Sequence, residues 1–238
     1  MVNIRMTPSD IHESKVDIVN RFFAGTGRTY DFMVTIATFG IDRLWKRRII
    51  DLIPLNPSRI LDLACGTGIL TLAIARRYPN CQVIGVELRD EYLTLAREKV
   101  LRLGLTNVEF ILSRAEDYHS HMSFDAIVSS YLAKYADLST LTINAKRMLK
   151  ERGLLLMHDF TYPPASLVWL WRMYFWMLQH VGTPLFPTWR EIYYGLPKLI
   201  EETRWASDLP PLLEVHGFRN IRREDLTAYG SAILTATK

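Results

Sequence analysis

Residues 60–68 read Ile-Leu-Asp-Leu-Ala-Cys-Gly-Thr-Gly, a short apolar run that ends in two glycines. Gly66 and Gly68 let the backbone turn sharply and approach a ligand with no Cβ in the way. Asp62 stands just before them, where a carboxylate can meet the amino group of a bound ligand. Glu87 closes the next apolar run, nineteen residues after Gly68. An acidic residue at about that distance accepts hydrogen bonds from ribose hydroxyls. The chemistry expected is the binding of a nucleoside cofactor, and both NAD and S-adenosylmethionine (SAM) use this arrangement. The dinucleotide fingerprint asks for a third glycine where this chain has Thr71. Glu87 would also repel the 2′-phosphate that Arg89 could otherwise hold. SAM fits better. Its expected contacts are Asp62, Ala64, Gly66, Gly68, Glu87 and Leu88, completed by Ala115, Glu116 and Ser129 at later strand ends.

These residues need a sheet whose strands all end on one edge. From Arg59 the pattern alternates: strands at 59–64, 82–87, 108–112, 125–130 and 153–159, with helices at 68–78, 90–103 and 139–150 between them. Strands alternating with helices of this length imply βαβ units, a parallel sheet and helices on both faces. A short helix at 212–216 then leads to strands at 218–223 and 231–237, close enough to form an antiparallel hairpin. The fold expected is α/β and Rossmann-like: a seven-stranded, mostly parallel sheet with an antiparallel C-terminal strand and an N-terminal helical cap. The closing hairpin is a further point for SAM over a dinucleotide. One domain over 1–238 is expected, with a helical cap at 1–45 and an aromatic-rich lid at 161–208. Asp10 and Glu13 have capping-box spacing, Ile11, Ile18 and Phe22 follow at helical intervals, and a second apolar segment runs from Tyr30 to Trp45.

Composition narrows the class. The chain has 238 residues, 49% hydrophobic and 23% charged, with a net charge of +4, which is ordinary globular composition. No run of five basic residues and no nucleic-acid signature is present, so nucleic acid is not expected as a partner. Cys65 and Cys81 fit neither a disulfide framework nor a metal pattern, and a cytoplasmic protein with reduced thiols is expected. His119 and His121 are too few for a metal site by themselves, so no metal is assigned. The most membrane-like stretch, Leu167 to Leu178, contains Arg172 and is shorter than a span.

On the loop Asp62–Gly68 the chain resembles class I SAM-dependent methyltransferases. More specifically it resembles the C-methyltransferases of ubiquinone and menaquinone biosynthesis, over nearly its whole length. Tyr30-Asp31-Phe32-Met33 and Phe39-Gly40-Ile41-Asp42-Arg43-Leu44-Trp45 are similar to that family's N-terminal signature. Arg147-Met148-Leu149-Lys150 through Asp159-Phe160-Thr161 matches the second signature in spacing, and Leu226-Thr227-Ala228-Tyr229-Gly230 resembles the closing hairpin. The chain departs from the pattern at Val34 (Asn in the family), Thr38 (Ser), Asp42 (His), Glu151-Arg152 (Pro-Gly) and Asp159 (Glu). Leu132-Ala133-Lys134-Tyr135 stands where the family has Gly-Leu-Arg-Asn. The resemblance implies SAM as methyl donor, Tyr30 near it, and a demethylated menaquinol or ubiquinol precursor as acceptor.

By the same resemblance, the N-terminal helices and the insert cover the site. Trp169, Trp171, Tyr174, Phe175, Trp176, Trp189, Tyr193 and Tyr194 fill that insert. An apolar channel of this kind suits a prenylated or otherwise lipophilic small molecule. Trp rings and Arg172 could also meet a membrane surface, as a peripheral contact at the inner face. Methylation at a quinol carbon needs a base near the ring hydroxyl. His158 and Asp159 are candidates for it, while Lys134 or Tyr135 would orient the ring or stabilise a phenolate. Two alternatives stay open: an O- or N-methyltransferase of another small lipophilic molecule, and a non-catalytic SAM-binding homologue. Oligomeric state is open.

Overall fold

The computed structural model describes residues 14–238. The Asp10–Glu13 spacing and Ile11 lie outside those residues. The first described helix, α1 (Lys15–Phe23), is capped by Ser14, whose hydroxyl accepts the Asp17 N–H at 3.2 Å. α2 (Gly27–Ala37) and α3 (Asp42–Leu52) follow. The apolar segment expected as one piece from Tyr30 to Trp45 is therefore two helices. Residues 38–41 separate them, and among these Phe39 and Gly40 have left-handed φ of +50° and +75°. The expected edge at residue 45 also falls inside α3. Its Ile49 and its C-cap Ile53 run on into the sheet's core.

The alternating region forms β1 (Arg59–Leu63), α4 (Ile69–Arg77), β2 (Gln82–Glu87), α5 (Asp90–Leu103), β3 (Val108–Leu112), β4 (Phe124–Ser130), α6 (Leu138–Met148) and β5 (Leu149–Phe160). The expected helix at 139–150 ends earlier because Leu149 already pairs with Phe124. After β5 come α7 (Val168–Met177), a π turn at Leu178–Gly182, the one-turn α8 (Thr183–Leu185), α9 (Arg190–Glu202) and α10 (Trp205–Val215). The chain closes with β6 (Arg219–Leu226) and β7 (Ser231–Thr237).

The sheet runs β3-β2-β1-β4-β5-β7-β6, parallel except for β7, which is antiparallel to both β5 and β6. Chain order reverses between β1 and β4, so the crevice at their carboxyl ends is the place where such sheets bind ligands. One face packs Val83, Val128, Leu156 and Ile233 against Leu70 and Ile74 of α4 and Ile49 of α3. The other packs Leu61, Ile84, Ile127 and Leu155 against α6 and α10. Each such buried aliphatic side chain stabilises the fold by about 1.5–3 kcal/mol.

The helix expected at 212–216 is longer and starts at Trp205, inside the stretch expected to be lid. Pro210 and Pro211 interrupt its hydrogen-bond ladder. The helix persists because Trp205, Leu209 and Leu213 are each no more than 1% exposed in the core. The Trp205 indole also donates to the Phe160 carbonyl at 2.7 Å.

Candidate active site

Two cavities open at the β1/β4 crevice. The smaller, about 110 Å³, is bounded by Ala64, Gly66, Glu87, Leu88, Ala115 and Glu116 from the sheet edge, and by Val16 and Val19 of α1. Gly66 has φ +58° and Gly68 φ +83°. A Cβ at Gly68 would stand 3.2 Å from that of Ala96, which keeps the position small. Glu87 holds the loop's shape: its carboxylate accepts the Gly66 N–H on Oε2 and the Arg89 N–H on Oε1, both at 2.9 Å. Burial pushes this carboxyl up, and the backbone donors oppose the shift. Each oxygen keeps a lone pair for further donors. Arg89 also lines this cavity, and its buried Nε has no partner. A nucleoside with vicinal ribose hydroxyls fits this donor and acceptor set, so the residues present suit SAM.

Other expected cofactor contacts lie elsewhere. Asp62 lines neither cavity: it is 1% exposed beneath the loop, where it accepts the Thr71 hydroxyl at 2.6 Å. Burial raises its pKa to about 7, offset by the Thr71 bond and by Lys46. Gly68 shapes the loop as the residue before α4 and lines neither cavity. Ser129 is buried inside β4 with its hydroxyl 3.9 Å from the Met157 sulfur, so its side chain supports the sheet. Glu116 accepts the Asp137 N–H at 3.0 Å and ties two loops together at the cavity's edge.

The larger cavity, about 400 Å³, is walled by Met33, Trp45, Phe160, Trp171, Phe175 and Trp189, among others. It shares Phe23, Tyr30, Tyr131 and Tyr135 with the smaller one, so the two meet at three tyrosines. Burial pushes the phenols of Tyr30 and Tyr135 well above their usual value, which keeps both as neutral donors. Lys134 reaches the larger cavity at 2% exposure. Its ammonium donates to Asp159 Oδ1 at 2.5 Å and to the Tyr131 carbonyl at 3.1 Å. Burial lowers the Lys134 pKa while Asp159 raises it.

The two expected bases are displaced from the acceptor space. His158 is fully buried and lines neither cavity. Its Nδ1 meets the Ser130 hydroxyl at 2.9 Å and its Nε2 the Ser231 hydroxyl at 2.7 Å, so both ring nitrogens are used. Burial, with Lys46 and Lys134 nearby, holds its pKa well below the ordinary imidazole value. Asp159 is also fully buried and acts through Lys134, accepting its backbone N–H on Oδ2 at 3.1 Å as well. Successive residues of a strand point to opposite faces, which separates this pair, and the hydrogen bonds each makes keep it out of the cavity lining.

Several contributors carried no expected role. Asp31 clamps the glycine loop to the helices: it accepts the Thr67 hydroxyl at 2.5 Å and an ion pair from Lys99, which also reaches the Thr67 carbonyl at 2.9 Å. Asp42 and Lys46, both buried, hold the half-buried Tyr131, which its place after the fourth strand assigns to the cofactor pocket and which lines both cavities. The only sequence signal for Asp31 was its place beside Tyr30 in the N-terminal signature.

A profile of the ubiE/COQ5 methyltransferase family matches residues 9–238, and the chain belongs to that family. It is 35% identical over 156 residues to the ubiquinone/menaquinone biosynthesis C-methyltransferase UbiE of Cronobacter sakazakii, covering 63% of this chain. That match spans 62% of the relative's own length, under two thirds. It is 31% identical over 216 residues to the demethylmenaquinone methyltransferase of Thermus thermophilus, covering 89% of this chain and 97% of the relative. Among solved structures, phosphoethanolamine N-methyltransferase 2 of Haemonchus contortus, in complex with S-adenosylhomocysteine, aligns with a TM-score of 0.66 at 18% identity, over 94% of this chain and 60% of that one. A SAM-dependent methyltransferase of Aquifex aeolicus aligns at 0.57 and 18% identity, over 81% and 88%. These likenesses show the Rossmann-like fold of SAM methyltransferases.

Proposed function

We propose that this chain transfers the methyl group of SAM to a ring carbon of a lipophilic hydroquinone, a demethylated menaquinol or ubiquinol precursor carrying a prenyl chain. One observation carries the reading: a small cavity with nucleoside-binding chemistry and a large aromatic cavity meet at Tyr30, Tyr131 and Tyr135. Family membership supports both halves.

In this reading Gly66, Glu87, Leu88 and Ala115 hold the nucleoside, with Ala64 and Glu116 at the edge and Tyr30 at the junction. SAM when bound supplies an electrophilic methyl on sulfonium. The protein then has to align the acceptor and exclude water, which the apolar walls do. Lys134 has three ammonium hydrogens and uses two on Asp159 and the Tyr131 carbonyl. The third donates to the acceptor oxygen and stabilises the phenolate left when the ring hydroxyl gives its proton to solvent on entry, which makes the ring carbon nucleophilic; the ring proton that the methyl replaces also leaves to solvent. Asp159 and His158 position this edge from beneath. Tyr135 supplies a hydroxyl donor at the junction.

Contact with a membrane surface belongs to the same reading. Trp169, Met173 and Trp176 of α7 are 65%, 53% and 58% exposed, and Phe39, which lines the larger cavity, is 70% exposed. An apolar rim beside an apolar cavity suits an acceptor delivered from lipid. No helix among the described residues is long and apolar enough to cross a membrane.

The test is transfer of labelled methyl from SAM into a reduced lipid extract containing demethylated quinols. A labelled quinone is the expected product. Absence of transfer by protein that binds SAM in a calorimeter would reject this acceptor class.

A further inference from the structure

Tyr131 follows β4 with φ +72°, a left-handed conformation that costs a bulky residue about 1–3 kcal/mol and persists where its surroundings impose it. Its hydroxyl donates to Asp42 Oδ1 at 2.6 Å, and Lys46, one turn along α3, pairs with that same oxygen. Asp42 and Lys46 are 3% and 7% exposed. The Lys46 ammonium lies 4.8 Å from the centre of the Tyr131 ring, and Phe160 stacks on that ring at 4.8 Å and 15°. A charged pair withdrawn from water is a poor source of stability by itself, and this one fixes a single phenol at the junction of two cavities. The phenol's one proton is committed to Asp42. Towards a ligand its oxygen has only lone pairs to offer. Lys134, whose ammonium is 5.5 Å from the same ring, offers only donors.

We propose that Tyr131, held by Asp42 and Lys46, accepts a hydrogen bond from a hydroxyl on the acceptor ring, so that the site takes the reduced, hydroxyl-bearing form in preference to a quinone carbonyl or an ether. The proposal rests on reading the larger cavity as the acceptor site and adds how that site senses oxidation state. Tyr131 touches the ligand; Asp42 and Lys46 are positioning residues. A quinone oxygen or an ether oxygen, having no proton, leaves the Tyr131 lone pair unmet in a dry pocket, and that loss sets the selectivity.

The test is calorimetric titration of the whole chain with a prenylated 1-naphthol and with its methyl ether. The ether keeps the ring and the oxygen but cannot donate. The wild-type chain is expected to prefer the naphthol by roughly tenfold, the scale of one such hydrogen bond. Tyr131→Phe keeps the ring and its stacking; it should bring the ratio close to one, with ether affinity rising because no lone pair is left unmet beside the ether oxygen. Asp42→Leu with Lys46→Met removes both charges together, so neither is orphaned, and frees the Tyr131 proton to meet an ether oxygen; it should shrink the ratio by raising ether affinity while melting temperature holds. A tenfold preference retained by Tyr131→Phe overturns the proposal, and a full ratio in the double variant overturns the positioning role. A wild-type chain that binds neither ligand overturns the acceptor-site reading and this inference together. A chain that shows the selectivity but transfers no methyl supports the Tyr131 assignment while the methyl-transfer reading fails.

Discussion

The two cavities are built differently although they share a wall. The smaller has its floor in short segments at the ends of β1, β2 and β3, closed over by α1 and the loop after β4, and that floor is organised by one carboxylate that holds two backbone N–H groups. The larger is made by side chains drawn from α2, α3, the end of β5, α7, α9 and the β6–β7 turn. Backbone chemistry at a strand end depends on few residues and tolerates change around it. A cavity of assembled side chains depends on many, and its chemistry shifts with any of them. Most departures from the family pattern fall on this second side: Val34, Thr38 and Lys134 line the larger cavity, Tyr135 lines both, and Asp42 holds Tyr131, whereas Glu151 and Arg152 are exposed at the start of β5.

The contrast breaks most readily at the buried Lys134–Asp159 pair. Lys134→Met strands a fully buried carboxylate, and chemical denaturation should show a loss of about 3–5 kcal/mol. Pairing it with Asp159→Leu should recover most of that. A single variant costing under about 1 kcal/mol would mean the pair is solvated and the larger cavity less dry than described.

Next in size is Glu87→Ala. It removes the acceptor of two backbone N–H groups and, in the proposed binding mode, of the ribose hydroxyls. Calorimetry should show SAM affinity falling about 100-fold, near 3 kcal/mol, with naphthol binding unchanged. Equal loss at both cavities would dissolve the distinction between them.

Asp62 sharpens the comparison through pH. Its folded pKa of about 7 lies above the unfolded value of about 3.9, so folding takes up a proton. Its contribution is fully favourable below about pH 4 and is lost as pH rises through 7. Between pH 5 and 7 the ligand-free protein should lose about 2 kcal/mol from this group, and Asp62→Asn should flatten that part of the stability profile. Identical profiles would place Asp62 in contact with solvent or ligand space.

The smallest stability effect is expected at the exposed rim. Trp169→Ser with Trp176→Ser should change stability by no more than about 0.5 kcal/mol yet abolish co-flotation with anionic vesicles. Wild-type protein that does not float would remove the membrane contact from the account.

The same contrast explains what was legible in the sequence. The strands at 82–87, 108–112 and 231–237 are found where the sequence pattern puts them, because each is a short, largely apolar run between turns. Ala64, Glu87 and Ala115 sit at strand ends, so finding the strand finds the residue. His158 and Asp159 show the limit. Both stand near the carboxyl end of β5, but which way each side chain points depends on neighbours distant in sequence, Ser231 for one and Lys134 for the other. Asp42, Lys46 and Tyr131 come from segments some ninety residues apart, with no shared motif to join them. Trp205 was hidden by two prolines that the core overrides.

In the proposed reaction, donor and acceptor meet at the tyrosine junction to form a carbon–carbon bond. The most direct measurement is the carbon-13 spectrum of the product made from SAM labelled at its methyl and a reduced, short-chain demethylmenaquinol. The account predicts a ring-bound methyl resonance and a product whose label survives ether cleavage. A methoxy resonance would show that oxygen is the nucleophile in this cavity and would contradict it.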